Sequence, residues 1–326
     1  MMKRIPLLAF SPAILVLLAL SAAPGQRPAI PQRYQQDGEF SRALAAIVSD
    51  CGFGGDFDVG EDGIEQISLA VIDCAGPHPV IGGVLMDNFI YPASVYKMYV
   101  AAAVLARAAE GKSALRDPFV VRSPNAVDKS KEIADDPRPL LAEGDTASVG
   151  YLLDLMITRS DNSAANCLID LAGRDEINAL LHRYGWYGSE VTRKFLKRKF
   201  EDPGYDTVRG TETCALHAAD FLYLADSDSL ENLWVSRHLV SYLTRQLDAS
   251  KLVPGLPSTT LFAHKTGWFA TWTHDVGIVR DARVHYIIAC FLPLREEEAG
   301  PKMRELSRRI YRLMADRAAY NHTPRD

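Results

Sequence analysis

The sequence predicts an α/β (α+β) protein, an antiparallel sheet flanked by helices with an all-helical block inserted into it. Strand-like segments lie near both ends of the chain, at 66–86 and 260–293, and a long helix-rich stretch, 94–248, separates them. Amphipathic helical patterns also stand outside the strands, at 38–49 and 301–319. Strands so far apart in sequence, with helices around and between them, pack most simply as one sheet layer built from both chain ends. The 326 residues, 48% apolar and 24% charged, have ordinary globular composition and suffice for two domains or one composite domain.

In chain order, residues 1–23 have the pattern of a secretory signal peptide: a basic start at Lys3-Arg4, an apolar run from Ile5 to Leu20, then Ser21-Ala22-Ala23. The run holds Pro6 and Pro12 and is short of the roughly 20 residues that a membrane span needs. An exported, periplasmic or secreted protein with no membrane span after leader cleavage is the expectation. A polar linker, 24–36, follows. Phe40, Leu44, Ile47 and Val48 give 38–49 helical spacing, and the loop Cys51 to Asp62 breaks it. Residues 66–73 and 79–86 are apolar and β-branched and read as a hairpin around Cys74-Ala75-Gly76-Pro77-His78. Residues 94–110 are rich in Ala, Leu and Met and end at Gly111, a helix signature. Further helices are predicted at 148–158, 163–172, 175–184, 214–224 and 231–248, strands at 260–268, 272–280 and 284–293, and a closing helix at 301–319. The expected division is a discontinuous α/β subdomain, 37–92 with 253–321, and an all-helical subdomain, 93–252.

Several function classes fall away. The formal charge is -5, and two units more negative once Lys3 and Arg4 leave with the leader, so the basic excess that nucleic acid demands is missing. Eight histidines are scattered with no HxH or HExxH, and the acidic loop Asp56 to Asp62 lacks the glycine and terminal glutamate of a calcium loop; no metal and no cofactor are expected. There is neither a GxSxG elbow nor a P-loop. Of five cysteines, Cys167, Cys214 and Cys290 sit in apolar runs and read as buried thiols. Cys51 and Cys74 bracket a glycine-rich loop, where a bridge or two free thiols both stand, the thiols preferred. A monomer is expected.

Chemistry concentrates in three short motifs. Ser94-Val95-Tyr96-Lys97 opens a helix, and residues three apart share a helix face, so the hydroxyl and the amine can meet. A serine hydroxyl is a poor nucleophile until a base takes its proton, and a desolvated lysine beside a second cation can be that base. Ser160-Asp161-Asn162 lies where one apolar helix ends and another begins, and Lys265-Thr266-Gly267 lies on a strand-like run. Each alone reads as a capping serine, a plain turn or an edge-strand lysine; those readings do not explain all three in order.

Together they resemble the SxxK, SDN and KTG motifs of class A β-lactamases and penicillin-binding proteins. The separations and the flanks Asn162-Ser163-Ala164-Ala165-Asn166 and His264-Lys265-Thr266-Gly267-Trp268 are similar to the family's, over about residues 38–318. The resemblance implies the class A β-lactamase/DD-peptidase-like fold. It implies Ser94 as nucleophile, Lys97 as base, Ser160 as proton relay, Lys265 as the second cation, and Asn162 as a donor to a substrate amide. Thr266 suits a substrate carboxylate. Gly267 allows a close substrate strand, and the backbone N–H groups of Ser94 and Trp268 form the oxyanion hole.

Two departures bear on function. The family's deacylating glutamate, four residues ahead of an asparagine, has no counterpart in Val191 to Tyr205; Glu201 is the best substitute, with Tyr205 in the asparagine's place. After Trp268, where many relatives carry a carboxylate-binding arginine, stand Thr273, His274 and Asp275; His274 offers part of that role or a structural one, and His264 reads as structural. The basic run Arg193 to Lys199 reads as a solvated face. The expectation is an exported serine hydrolase acting on a small-molecule β-lactam or a related cell-wall amide through a Ser94 acyl-enzyme. The rivals are a D-alanyl-D-alanine carboxypeptidase or esterase on the same fold, and a penicillin-binding sensor that does not turn over.

Overall fold

The computed structural model describes residues 28–60, 63–122, 136–201, 204, 205, 207 and 210–321. The expected leader, 1–23, and residues 24–27 of the expected linker lie outside the described residues.

The chain begins with β1 (Gln35–Gln36) and α1 (Gly38–Asp50), whose N-terminus is capped by the Asp37 carboxylate accepting from the backbone of Glu39 and Phe40. A small ribbon, β2 (Phe57–Asp58) with β3 (Ile64–Glu65), precedes β4 (Ser68–Asp73) and β5 (Val80–Val84). A 3-10 turn, Ala93–Tyr96, leads into α2 (Lys97–Ala109). Then come β6 (Pro118–Val120), β7 (Thr146–Ser148), α3 (Val149–Thr158), α4 (Asn162–Ala172), α5 (Arg174–Arg183), α6 (Ala215–Asp226) and α7 (Leu233–Leu243). The chain closes with β8 (Leu261–Phe269), β9 (Trp272–Arg280), β10 (His285–Leu292) and α8 (Glu296–Asn321).

The main sheet has the order β1-β5-β4-β10-β9-β8. Strands from the two chain ends meet where β4 pairs antiparallel with β10, Ala70 opposite Ala289. The sheet is antiparallel throughout except at its edge, where β1 runs parallel to β5. Both faces are covered, and the two-residue period of a strand sorts the side chains between two cores. Along β10, Ile287, Ala289 and Phe291 join the core under the helical block, whereas Tyr286, Ile288, Cys290 and Leu292 join Phe40 and Leu44 of α1 and Met303, Leu306 and Ile310 of α8. The central strands are therefore apolar on both sides.

The structure departs from the sequence reading at four places. The segment expected to be a linker supplies β1. The block expected to be all helical carries the ribbon β6–β7. The helix expected at 231–248 stops at Leu243: beyond it Gln246 and the Leu247 N–H donate to Ile157 O and Thr158 O, satisfying carbonyls at the end of α3 and drawing the chain across it. The last helix starts at Glu296 rather than 301, because Pro301 sits inside its early turns and three glutamates open it, favoured by the helix dipole. The cysteines follow the preferred reading: all five are thiols, no bridge joins Cys51 to Cys74, and Cys51 packs in the α1–α8 core.

Candidate active site

The 3-10 turn before α2 carries Ser94, and Ala93 just ahead of it has φ 46, a left-handed conformation that bends the chain sharply at this point. On the strand side the turn is met by Gly267 of β8. A Cβ there would lie 2.8 Å from Pro92 O, 2.9 Å from Ser94 N and 3.0 Å from Val95 N, so only glycine lets the strand approach this backbone. His274 of β9 fastens the same loop. Its Nε2 donates to Tyr91 O at 2.8 Å and its Nδ1 accepts from Leu292 N at 3.2 Å, with burial holding its pKa down to about 3. A neutral ring with both nitrogens taken by backbone leaves no share in holding a substrate carboxylate, and the structural alternative describes it. His264 is likewise engaged, its Nδ1 2.8 Å from Asp275 Oδ1, while Asp275 also accepts from Leu252 N.

From this turn the structure brings the sequence-derived residues into one hydrogen-bonded group. Lys97 is fully buried, and its Nζ lies 3.1 Å from Ser94 Oγ, 2.7 Å from Ser160 O, 3.2 Å from Ser160 Oγ and 2.8 Å from Asn162 Oδ1. The Ser160 hydroxyl is also 3.1 Å from Lys265 Nζ, which is itself buried and donates to Thr266 O at 2.7 Å. One serine oxygen thus bridges the Nζ atoms of two buried lysines. Ser160 reaches that place with φ 59. The connection between α3 and α4 is tight, Asp161 capping α4 through Ala164 N at 2.7 Å.

A cavity of about 370 Å³ opens over this group. Ser94, Ser160, Thr266, Gly267 and Trp268 form the side that carries the three motifs; Arg159, Leu247, Asp248, Ala249, Ser250 and Glu296 complete the wall. Asp248 and Glu296 both pair with the buried Lys251, and despite burial that ammonium and Ser250 hold the Asp248 carboxyl at about 2.

The structure does not bring Glu201 to this cavity. It stands at the end of a 3-10 turn, Leu196–Glu201, with its carboxylate held by Arg198 at 2.6 and 2.8 Å and by Lys194 at 3.1 Å. The Arg198 hydrogen bonds and Lys194 depress its pKa to about 2, and 41% of its side chain is exposed. The residue of this loop that faces Lys97 is Phe195. Its ring centroid lies 4.3 Å from Lys97 Nζ and 4.7 Å from the Tyr96 ring, stacked within 10°. The side chain of Asn166 clamps its backbone, accepting from Phe195 N at 2.7 Å and donating to Phe195 O at 3.3 Å. The basic run around it is partly neutralised, since Lys194 and Arg198 both also pair with Asp170. Phe195 and Arg159 were invisible to motif reading, and the buried Asn166 four residues after the SDN motif was the signal that something on the loop is gripped.

Comparison with known proteins agrees with the architecture. The fold is shared with a β-lactamase from Sphaerobacter thermophilus (TM-score 0.68, 20% identity, covering 84% of this chain and 97% of that one). It is shared with a variant of PBP-A solved as an acyl-enzyme complex with penicillin G (TM-score 0.68, 17% identity, 86% and 98% covered). A β-lactamase from Xanthomonas campestris is also similar (TM-score 0.66, 21% identity, 84% and 97% covered). Residues 66–314, spanning all three motifs and most of the sheet, match the Beta-lactamase enzyme family, and the chain belongs to that family.

Proposed function

We propose that the protein is a serine hydrolase that opens β-lactams or related cell-wall amides by forming an acyl-enzyme at Ser94. The observation that carries this reading is the chain of contacts Ser94–Lys97–Ser160–Lys265 beneath a cavity large enough for a small-molecule substrate. Lys97, unprotonated at the moment of attack, takes the Ser94 proton, and Oγ adds to the substrate carbonyl. The proton passes through Ser160 to the departing nitrogen, and the C–N bond breaks. Lys265 and Thr266 meet the substrate carboxylate, Asn162 is oriented by its bond to Lys97, and the Ser94 and Trp268 N–H groups take the oxyanion. An exported, periplasmic, monomeric protein with a cleaved leader fits this substrate class. Among the described residues no helix is long and apolar enough to cross a membrane.

A second reading is favoured by one specific observation. An aromatic ring occupies the side of Lys97 that the deacylation loop faces, and Glu201 is tied into ion pairs. Release of a β-lactam acyl group is then slow, as in a penicillin-binding sensor or in a D-alanyl-D-alanine carboxypeptidase or esterase that releases only its own substrate's acyl group quickly. A chromogenic cephalosporin and a D-Ala-D-Ala peptide, each followed to steady state with the Ser94→Ala protein as control, separate these. A stoichiometric burst followed by slow cephalosporin turnover is the expected result. Fast, burst-free cephalosporin hydrolysis would return the protein to an efficient β-lactamase, and turnover surviving in Ser94→Ala would sink the site.

A further inference from the structure

We propose that Arg159 is a positioning residue for the reaction, holding the Ser160 hydroxyl between Lys97 and Lys265. The inference rests on the acyl-enzyme reading of Ser94. Ser160 adopts the left-handed conformation that L-residues avoid, and such a conformation persists only where the surroundings over-determine it. Those surroundings are on either side of it. The backbone N–H groups of Arg159 and Asp161 both donate to Leu155 O, at 3.2 and 3.1 Å, which folds the turn around one carbonyl. The two flanking side chains are then bonded to each other, Arg159 Nη2 donating to Asp161 Oδ2 at 3.1 Å, while the other oxygen of Asp161 caps α4.

The two terminal nitrogens are held from outside the motif as well. Nη1 donates to Arg138 O at 2.8 Å and to Asp136 Oδ2 at 3.3 Å, and Nη2 donates to Pro139 O at 3.1 Å. Asp136 is in turn gripped by Arg138, which also pairs with Asp154 on α3. A planar fork is the group that can satisfy two carbonyls and two carboxylates lying in different directions; an ammonium cannot. Arg159 is 6% exposed and lines the same cavity as Ser94 and Ser160. It therefore joins the segment 136–139 to the turn that sets the relay hydroxyl, and a displacement of that hydroxyl by about 1 Å is enough to cost on the order of a hundredfold in rate.

The test measures the acylation rate constant and the dissociation constant of the preceding complex separately, using a fluorescent penicillin, for the parent, Arg159→Lys and Arg159→Ala, with thermal melts beside them. Arg159→Lys is expected to melt below the parent yet remain folded at the assay temperature, and to lose about 10- to 100-fold in the acylation constant with the dissociation constant changed by less than about threefold. Low-millimolar guanidinium, but not equal sodium chloride, is expected to restore part of the rate to Arg159→Ala. A folded Arg159→Lys that acylates at the parent rate overturns the proposal, as does a loss confined to the dissociation constant. If both variants fail to fold, Arg159 is a structural residue only and the proposal also falls. A parent that takes no label overturns the Ser94 reading and this one with it, whereas a labelled parent with an unaffected Arg159→Lys overturns this one alone.

Discussion

The Ser160 hydroxyl stands 3.2 Å from one buried lysine and 3.1 Å from another, so the proposed proton relay runs between side chains that solvent does not reach. Replacing Lys97 by a side chain of similar volume without the amine tests this at its origin. Lys97→Met is expected to stay folded and to lose about a hundred- to ten-thousandfold in acylation rate, the usual worth of a positioned base. Acylation within threefold of the parent would remove Lys97 from the chemistry. Gly267 makes an independent prediction. Gly267→Ala drives a Cβ to within 3.0 Å of three backbone atoms around Ser94, so the strand or the turn must move. The expected cost is about 1 to 3 kcal/mol in urea unfolding, together with at least about a tenfold loss of acylation. At this scale the sequence showed much: spacing and resemblance singled out Ser94, Lys97, Ser160, Asn162, Lys265, Thr266, Gly267 and Trp268, and the structure gathers them at one place. Arg159 was missed because its partners at 136–139 lie about twenty residues away and share no periodic pattern with it.

In the proposed reading the loop after α5 sets the fate of an acyl-enzyme, and its two candidate residues are distinguished by what holds them. Asn166 fixes the Phe195 backbone against Lys97, whereas Arg198 and Lys194 fix Glu201 among ion pairs at a partly exposed site. Glu201→Gln is expected to leave the release rate of bound penicillin unchanged within about twofold, because a carboxyl with a pKa near 2 that is already doubly paired is a poor base. Phe195→Glu places a carboxylate against Lys97 and is expected to shorten the life of the label by at least about tenfold; an unchanged lifetime would show that this face of Lys97 does not control release. Strands and helices were legible where period and burial agree: the strong β10 pattern sorts its residues between two cores, and the α1 pattern buries Phe40, Leu44 and Val48. What was not legible is set by contacts distant in sequence. The chain leaves helix at Leu243 because the end of α3 needs donors, and the loop residue facing Lys97 is chosen by the grip of Asn166 rather than by the sequence match that singled out Glu201.

For the whole molecule, two histidines buried under the helical block and in the sheet link stability to pH. His217, bonded to Ser189 Oγ at 2.8 Å, and His274 are pushed by burial to about 4 and about 3. Both are neutral in the fold and take up protons near pH 6.5 when unfolded. The unfolded state thus binds more protons below pH 6.5, so stability is full above that value and falls as pH drops towards 4, by up to about 1.4 kcal/mol per pH unit for each histidine. Urea unfolding between pH 7.5 and 4.5 checks this, and a flat profile across that range would contradict the buried, neutral placement. The fold as a whole brings a turn from one chain end, a turn from the helical block and a strand from the other chain end to a single cavity, and the central claim is that Ser94 in that cavity is acylated. Intact-mass spectrometry after mixing with a penicillin, followed by peptide mapping, measures it most directly. The account predicts one adduct of the penicillin's full mass, located on the peptide that carries Ser94 and missing from Ser94→Ala; an adduct on another residue, or none under conditions where the protein is folded, would contradict it.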